Sequence, residues 1–310
     1  AILCACGSFD HVRHVYRIKS DHTGGHLSDW DDHIADRHPI LHQLNSVATT
    51  KALAMTLSAQ NINVTLGSRT ILNETGFEAL RAGELTALIG PNAAGKSTLF
   101  RTIAGLVKSS DGIIDIAGED LSQLSVQRRL QRICFMPQFF TANAALSVFD
   151  VVLMAQKQLS GWRVSEQDMA SVAQALEEAK IGHLAEANIG ELSGGQAQMV
   201  SVYQALIRKA EVYLFDEPTS ALDLRHQLDV MHGIKHAMKE RGAIGIVALH
   251  DLNLAARYAD HLLLIGSGQI LAQGKLDAVL SDPLIAATYD VSIQTGLGPR
   301  KELNVHAYSD

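Results

Sequence analysis

The sequence predicts an α/β fold in which parallel strands carry a phosphate-binding loop and a helical insert interrupts the core. Three observations favour it. First, "GPNAAGKST", residues 90–98, lies between the apolar run "ELTALI" and a helical stretch. Second, "VYLFD" and "AIGIVAL" are continuous apolar runs, which are typical of parallel strands covered on both faces. Third, residues 146–188 are rich in Ala, Leu, Glu and Gln and contain few strand formers.

The other elements follow from local patterns along the chain. Before and after the loop, short strands are predicted at "INVTL", "TILNETGFEAL", "ELTALI" and "GIIDIAG". A helix is predicted over "LSQLSVQRRLQ", and a short buried strand at "ICFMP". Near the end, "HLLLI" and "QILAQG" flank a Gly-Ser-Gly turn and predict a hairpin, with short helices following to about Tyr289.

Composition limits the class of protein. The chain has 310 residues, of which 47% are hydrophobic and 19% charged, so it is a globular protein. Its net charge of -7 provides no basic footprint, and we expect no nucleic-acid partner. Cys4, Cys6 and Cys134 form no even disulfide framework, which indicates a reducing compartment. Because no window approaches the about 18 apolar residues of a spanning helix, any membrane role would be that of a peripheral subunit.

Residues 1–55 differ from the rest and are predicted to be an N-terminal extension without packed structure. Seven of the 14 histidines lie between His11 and His42, with no sustained helical or strand period. One interpretation is a metal-binding tail assisted by Cys4 and Cys6. The other, which we favour, is that these residues are an extension or translated leader before Met55, the first methionine in the chain.

The loop at residues 90–98 predicts a site for a chain of phosphates with Mg²⁺. It matches the pattern G-x-x-x-x-G-K-[ST], whose backbone N–H groups close around phosphate oxygens at a helix N-terminus. Lys96 can reach the β and γ phosphates, and the hydroxyl of Ser97 can ligate Mg²⁺. The alternative is a Gly-rich turn without a ligand. The predicted binding residues are Gly90, Pro91, Asn92, Ala93, Ala94, Gly95, Lys96, Ser97 and Thr98.

"LSGGQ", residues 192–196, opens a helix and predicts a second phosphate-facing helix end. Its candidate binding residues are Ser193, Gly194, Gly195 and Gln196. Because the helical insert would hold this motif away from the first loop, both cannot serve one γ phosphate within one chain. A head-to-tail pair of chains solves the problem, since each site would be closed by the motif of the partner.

Three further motifs supply candidate chemistry. "VYLFDEP" ends a buried strand in Asp216, which can hold Mg²⁺, and Glu217, which can orient or deprotonate water; alternatively, the two acids cap the next helix. His250 follows "IGIVAL" and can reach the γ phosphate, or it satisfies a neighbouring backbone group. Gln138 follows "FMP" and can sense Mg²⁺ and water, or it is polar surface. "SALD", residues 220–223, can line the seam between two chains.

The ordered set of motifs resembles the nucleotide-binding subunit of ATP-binding-cassette (ABC) transporters over about residues 56–295. It comprises "GPNAAGKST", Gln138, "LSGGQ", "VYLFDEP", "SALD" and His250. The resemblance implies a P-loop ATPase with a RecA-like core, an antiparallel β subdomain and a helical subdomain at about residues 140–205, followed by a tail at 296–310. It also implies a homodimer that closes on two ATP molecules, hydrolyses them and moves attached membrane subunits.

The resemblance implies a role for each candidate residue. The phosphate-binding loop, Lys96 and Ser97 would bind phosphate and Mg²⁺, and Ser193 and Gly195 would bind the ATP of the partner. The ligands of Mg²⁺ would be Ser97, Gln138 and Asp216. The catalytic residues would be Glu217 as general base, His250 at the γ phosphate and Gln138.

Several positions depart from the family pattern. Leu66 stands where the family often stacks an aromatic ring on adenine, so binding of the base would be weaker or rely on apolar contact. Ala93 replaces a frequent glycine, which is tolerable if its φ is negative. Ala197 and Met199 stand where basic residues are common.

The stretches "LSVFDVVLMAQ" and "HDLNLAARYADHLLLIGSGQILAQG" look most like the subunits that serve bacterial uptake of iron chelates, meaning siderophores or haem. Cobalamin or another metal substrate is the alternative cargo. The resemblance implies integral-membrane permease partners, an indirect periplasmic or surface binding protein, and a place on the cytoplasmic face of the inner membrane. Two other classes stay open, namely a non-transport cassette ATPase and a metal-binding regulatory protein.

Overall fold

A six-stranded sheet forms the core of the structure, a computed structural model that describes residues 55–138, 145–157, 163–299 and 302–309. Its strand order is β10-β9-β3-β8-β7-β6. The strands are β3 (Leu85–Ile89), β6 (Ile133–Met136), β7 (Val212–Asp216), β8 (Ile244–Leu249), β9 (His261–Gly266) and β10 (Gln269–Gly274). All pairs are parallel except β9 with β10, which forms the predicted hairpin. The predicted α/β fold is therefore confirmed.

The central strands are apolar throughout because both faces of the sheet are covered. Every residue of β3, β7 and β8 is buried. Successive side chains point to opposite faces of a strand. Accordingly Tyr213 and Phe215 enter one hydrophobic cluster, which also contains the helical region, whereas Leu214 enters a second cluster below the antiparallel sheet.

An antiparallel sheet forms the predicted antiparallel β subdomain; two of its strands precede the phosphate-binding loop in the sequence and two follow it. It has the order β2-β1-β4-β5. Its strands are β1 (Thr56–Leu66), β2 (Arg69–Arg81), β4 (Asp111–Ile116) and β5 (Glu119–Asp120). Leu57, Ile62 and Leu72 from this sheet pack in one cluster with Phe100 of the helix that follows the loop. The two sheets therefore hold that helix between them.

Nine α-helices lie within the described ranges. They are α1 (Lys96–Ile103), α2 (Val126–Arg132), α3 (Val148–Lys157), α4 (Glu166–Glu178), α5 (Gly194–Leu206), α6 (Leu224–Arg241), α7 (Leu252–Tyr258), α8 (Leu276–Leu280) and α9 (Pro283–Tyr289). None of them is long and apolar enough to cross a membrane. The predicted helix over 121–131 is interrupted, because Ser125 caps α2 by accepting a hydrogen bond from the Arg128 N–H at 3.4 Å.

The helical region is continuous with the main core. Val148, Val152, Val172 and Leu176 of α3 and α4 are buried in the same cluster as Val200 of α5 and the sheet residues. The predicted helical subdomain at about 140–205 includes residues 140–144 and 158–162, which lie outside the described ranges. Its limits stay a prediction.

The chain ends in a small hairpin of β11 (Ser292–Leu297) and β12 (Leu303–Tyr308). The Asn253 side chain of α7 holds it: Asn253 Oδ1 accepts from the Val305 N–H at 2.8 Å, and Asn253 Nδ2 donates to the Val305 carbonyl at 3.1 Å. The predicted boundary between 295 and 296 falls inside this hairpin and is not otherwise tested. The predicted extension lies outside the described residues up to residue 54.

Ala93 does not meet the condition, a negative φ, under which alanine would replace glycine without strain. Its φ is +61°, in the left-handed region. An L-residue with a side chain pays about 1–2 kcal/mol there, because Cβ approaches the following carbonyl. Ala93 is exposed, so its methyl group gains little packing in return. Position 93 therefore keeps the left-handed backbone that favours glycine, although this sequence has alanine there.

We expect Ala93→Gly to raise the free energy of unfolding by about 1 kcal/mol, since the strain is removed and little packing is lost. For a domain of this size the melting temperature should rise by about 2–4 °C, measured by scanning calorimetry without nucleotide. Ala94→Gly is the control: Ala94 is buried and lacks a positive φ, so this change should lower the melting temperature. Equal losses for both variants would contradict the assignment of strain.

Candidate active site

The candidate site lies where the carboxyl ends of four adjacent parallel strands meet. The loop of residues 90–95 follows β3, His250 follows β8, Glu217 follows β7 and Gln138 follows β6. Ligands of open α/β sheets bind at this edge, because the loops that follow parallel strands converge there. A cleft of about 520 Å³ is lined by Arg69, Ile71, residues 92–98, Gln138, Glu217 and His250.

Close packing requires glycine at both ends of the loop. A Cβ on Gly90 would lie 2.2 Å from the Ile265 carbonyl oxygen, and Gly90 has a φ of +156°. Gly95 has a φ of +107°, and a Cβ there would lie 2.9 Å from the Leu72 side chain. Strands β9 and β2 thus press the loop from behind, which leaves its backbone N–H groups able to approach a ligand.

Lys96 is folded into the loop. Its Nζ donates to the Gly90 carbonyl at 2.7 Å and to the Pro91 carbonyl at 3.0 Å. Its side chain is buried, and this burial lowers its pKa, while the nearby carboxylates of Glu217 and Asp216 act in the opposite direction. The ammonium is therefore a buried cation at the base of the cleft, close to two acids.

Asp216 is a buried carboxylate with one oxygen left over. The residue is 1% exposed, and the Ser97 hydroxyl hydrogen-bonds to its side chain. Its Oδ1 has no hydrogen-bond partner among the described residues. Desolvation raises the pKa of Asp216 above its ordinary value. A buried, unsatisfied oxygen beside a hydroxyl is the donor set that Mg²⁺ prefers, so Ser97 and Asp216 fit this ion.

Glu217 is held between the two other predicted residues. Gln138 Nε2 lies 2.5 Å from Glu217 Oε2, and His250 Nε2 forms a hydrogen bond with Glu217 Oε1. The Glu217 side chain is only 12% exposed, and its φ is +53°, a left-handed conformation that non-glycine residues adopt rarely. The structure thus brings Gln138, Glu217 and His250 together, and the Glu217 carboxylate does not cap a helix.

The LSGGQ motif lies elsewhere. Ser193 caps α5: its Oγ accepts from the Gln196 N–H at 3.3 Å, while Gln196 Oε1 accepts from the Ser193 N–H at 2.9 Å. Gly194 and Gly195 form the first turn of the helix. None of these four residues lines the cleft. Within the described residues, the second phosphate-facing helix end is therefore separate from the first.

Sequence reasoning overlooked two residues of the cleft. Leu66, at the position of the usual adenine-stacking ring, is 50% exposed and does not line the cleft, whereas Arg69 and Ile71 do. Residues two apart on a strand share a face, so Arg69 and Ile71 point to the same side of β2 while Leu72 enters the core. The alternation of apolar and polar residues along β2, which lies close to the loop, could have predicted that Arg69 and Ile71 face the cleft.

Comparison with known proteins places this geometry in a family. The family model described as ABC transporter matches residues 75–220. Over 243 residues the chain is 35% identical to the hemin import ATP-binding protein HmuV of Streptomyces coelicolor, covering 78% of this chain and 86% of that protein. It is 34% identical to the achromobactin transport ATP-binding protein CbrD of Dickeya dadantii, with 76% and 88% covered. A cobalamin import protein, BtuD of Halobacterium salinarum, is 33% identical, with 79% and 61% covered.

Solved structures give the same result. A transporter described as metal-chelate type, in an inward-facing conformation, matches with a TM-score of 0.68 and 26% identity, covering 82% of this chain and 97% of that chain. A dimeric cassette, MJ0796 bound to ADP and Pi, matches with a TM-score of 0.65 and 26% identity, covering 71% and 98%. With its parallel sheet, phosphate-binding loop and LSGGQ helix, the chain therefore belongs to the ABC transporter family, as an ATP-hydrolysing cassette.

Proposed function

We propose that this cassette energises bacterial import of an iron chelate, such as haem or a siderophore, as a head-to-tail homodimer bound to permease subunits. The observation that carries its chemistry is the Glu217 carboxylate, held by Gln138 and His250 beside a buried lysine and an unsatisfied buried aspartate oxygen. Burial of opposite charges in a cleft lowers the stability of the fold through desolvation, and such groups are typical of functional sites, where they bind a ligand.

The residues divide the hydrolysis between them. The backbone of the loop and Lys96 bind the phosphates of ATP, and Ser97, Gln138 and Asp216 would hold Mg²⁺, which neutralises phosphate charge when bound. Glu217 accepts a proton from water as the water oxygen bonds to the γ phosphorus and the bond to the β-phosphate oxygen breaks, releasing ADP and phosphate. His250 and Gln138 orient the carboxylate, and His250 can also reach the γ phosphate.

The dimer follows from the separation of the two phosphate-facing ends. Ser193 and Gly194 are exposed and do not reach the cleft of their own chain, although a helix N-terminus favours an anion. In a head-to-tail pair, this helix end closes the cleft of the partner. A structural neighbour, the cassette MJ0796 bound to ADP and Pi, is dimeric, which supports the proposal of a dimer.

The cargo and partners rest on the relatives. Two of them are named for hemin import and for achromobactin transport, and a structural neighbour is of the metal-chelate type. Cobalamin is the second candidate, because another relative is named for its import. We propose that the permease subunits receive cargo from a periplasmic or surface binding protein, and that the cassette acts at the cytoplasmic face of the inner membrane.

We expect Glu217→Gln to reduce the rate of phosphate release by at least about 100-fold, because the amide cannot accept the proton from water. Binding of a fluorescent ATP analogue should persist, since the loop and Lys96 are intact. Phosphate release is measured at saturating Mg²⁺-ATP. With ATP, this variant should also form dimers in light-scattering chromatography. Turnover like that of the wild type would refute the proposed general base, and a strictly monomeric variant would refute the dimer.

Asp216→Asn should raise the melting temperature of the nucleotide-free protein at pH 7.5, since it removes a buried charge. The raised pKa of Asp216 means that the ionised form destabilises the fold above its unfolded pKa, about 3.9. The advantage of the variant should therefore shrink as the pH falls towards 4. Mg²⁺-ATP should stabilise the wild type more than the variant. A variant less stable than the wild type at pH 7.5 would contradict this account.

The cargo is tested in vesicles that contain the permease and this cassette. We expect binding protein loaded with an iron chelate to raise the ATPase rate and to deliver labelled iron into the vesicles. Cobalamin-loaded binding protein is the matched control. Stimulation by cobalamin alone would replace the iron-chelate proposal with the second candidate.

A further inference from the structure

We propose that Gln198 is a positioning residue for hydrolysis, which holds the backbone of Glu217 so that its carboxylate meets Gln138 and His250. Gln198 lies one turn inside α5, and its Nε2 donates to the main-chain carbonyl of Glu217 at 2.9 Å. The inference rests on the proposed role of Glu217. Sequence reasoning singled out the neighbours Ala197 and Met199 and passed over this residue.

Burial makes this hydrogen bond specific. Gln198 is 6% exposed and lies among the buried residues of α5, so its amide has no access to bulk water as an alternative partner. A buried amide that loses its partner costs about 1–3 kcal/mol. The bond therefore ties α5 to the end of β7 more firmly than an exposed contact would.

The contact acts at a strained point of the chain. Glu217 has a φ of +53°, which directs its side chain away from the path that the preceding strand would give it. Its carbonyl also accepts from Ser220, whose Oγ lies 3.2 Å away, but that bond is local to the turn and exposed. Among the described residues, Gln198 supplies the bond to this carbonyl from a different element. A conformation of this kind persists only when surrounding contacts over-determine it.

The same helix carries the LSGGQ motif at its first turn, where the capping residue Ser193 lies five residues before Gln198. In the proposed dimer, this end of α5 contacts the ATP of the partner. Gln198 would then link two nucleotide sites, because α5 contacts the ATP of the partner and Glu217 acts on the ATP in the cleft of its own chain. A shift of α5 by a fraction of an ångström would be transmitted to Glu217 through one buried hydrogen bond.

Gln198→Met tests the proposal, because methionine has similar length and no donor. We expect kcat for ATP hydrolysis to fall by about 10- to 100-fold, as misplacement of a reacting group by about 1 Å can do, with KM changed less than twofold. Gln273→Met is the matched control: Gln273 also bonds the main chain, at Glu78, but lies away from the cleft. The control should keep the kcat of the wild type.

A second comparison separates positioning from general damage. In the Glu217→Gln background, Gln198→Met should slow the residual hydrolysis no further, because the group that it positions is already disabled. Binding of the fluorescent ATP analogue checks that the variant is folded; if it is not, Gln198→Ala, which cannot overpack the site, is measured instead. Wild-type kcat in a folded Gln198 variant overturns the inference while the role of Glu217 stands. A Glu217→Gln protein that turns over at the rate of the wild type removes the proposed role itself.

Discussion

Parallel pairing of four strands is the constraint on which the candidate site depends. Because β3, β8, β7 and β6 run side by side in one direction, the residues that follow them emerge at one edge of the sheet. These residues are the phosphate-binding loop, His250, Glu217 and Gln138. They are up to 160 positions apart in the sequence, from Gly90 to His250, and the strand order alone brings them together. The parallel register of these strands is continuous from β3 to β6, so each of these residues has a defined place at that edge.

Charge within that edge explains why the site is both costly and useful. Lys96 and Asp216 are buried. Desolvation lowers the pKa of Lys96 and raises the pKa of Asp216, which in both cases favours the neutral form. The opposite charges of the two groups limit the cost of their burial, and among the described residues Asp216 Oδ1 has no hydrogen-bond partner. Phosphate oxygens and a divalent cation would satisfy both groups at once. Binding of Mg²⁺-ATP is therefore expected to recover free energy that the folded chain has given up.

The sequence predicted the parts of this site that depend on local patterns. The glycines of the loop, the apolar strands and the LSGGQ helix start all carry short-range signals, and the structure places them as those signals indicated. The positive φ of Ala93 could not be read from the sequence, because alanine carries no local signal for a left-handed backbone. For Arg69 the alternation along β2 was the available signal, whereas Gln198 meets Glu217 only through tertiary packing and leaves no motif.

The separation of the two phosphate-facing ends also has an energetic consequence. A complete site within one chain would hydrolyse ATP whenever ATP was bound. Because Ser193 does not line the cleft, ATP bound there would keep an open side in a single chain. In the proposed dimer, closure of that side by the partner excludes water other than the attacking molecule and brings a helix N-terminus to the phosphate charge. Hydrolysis then depends on association, so the free energy of ATP can be released as a change in the distance between two subunits. That distance is the quantity which attached permease subunits can follow.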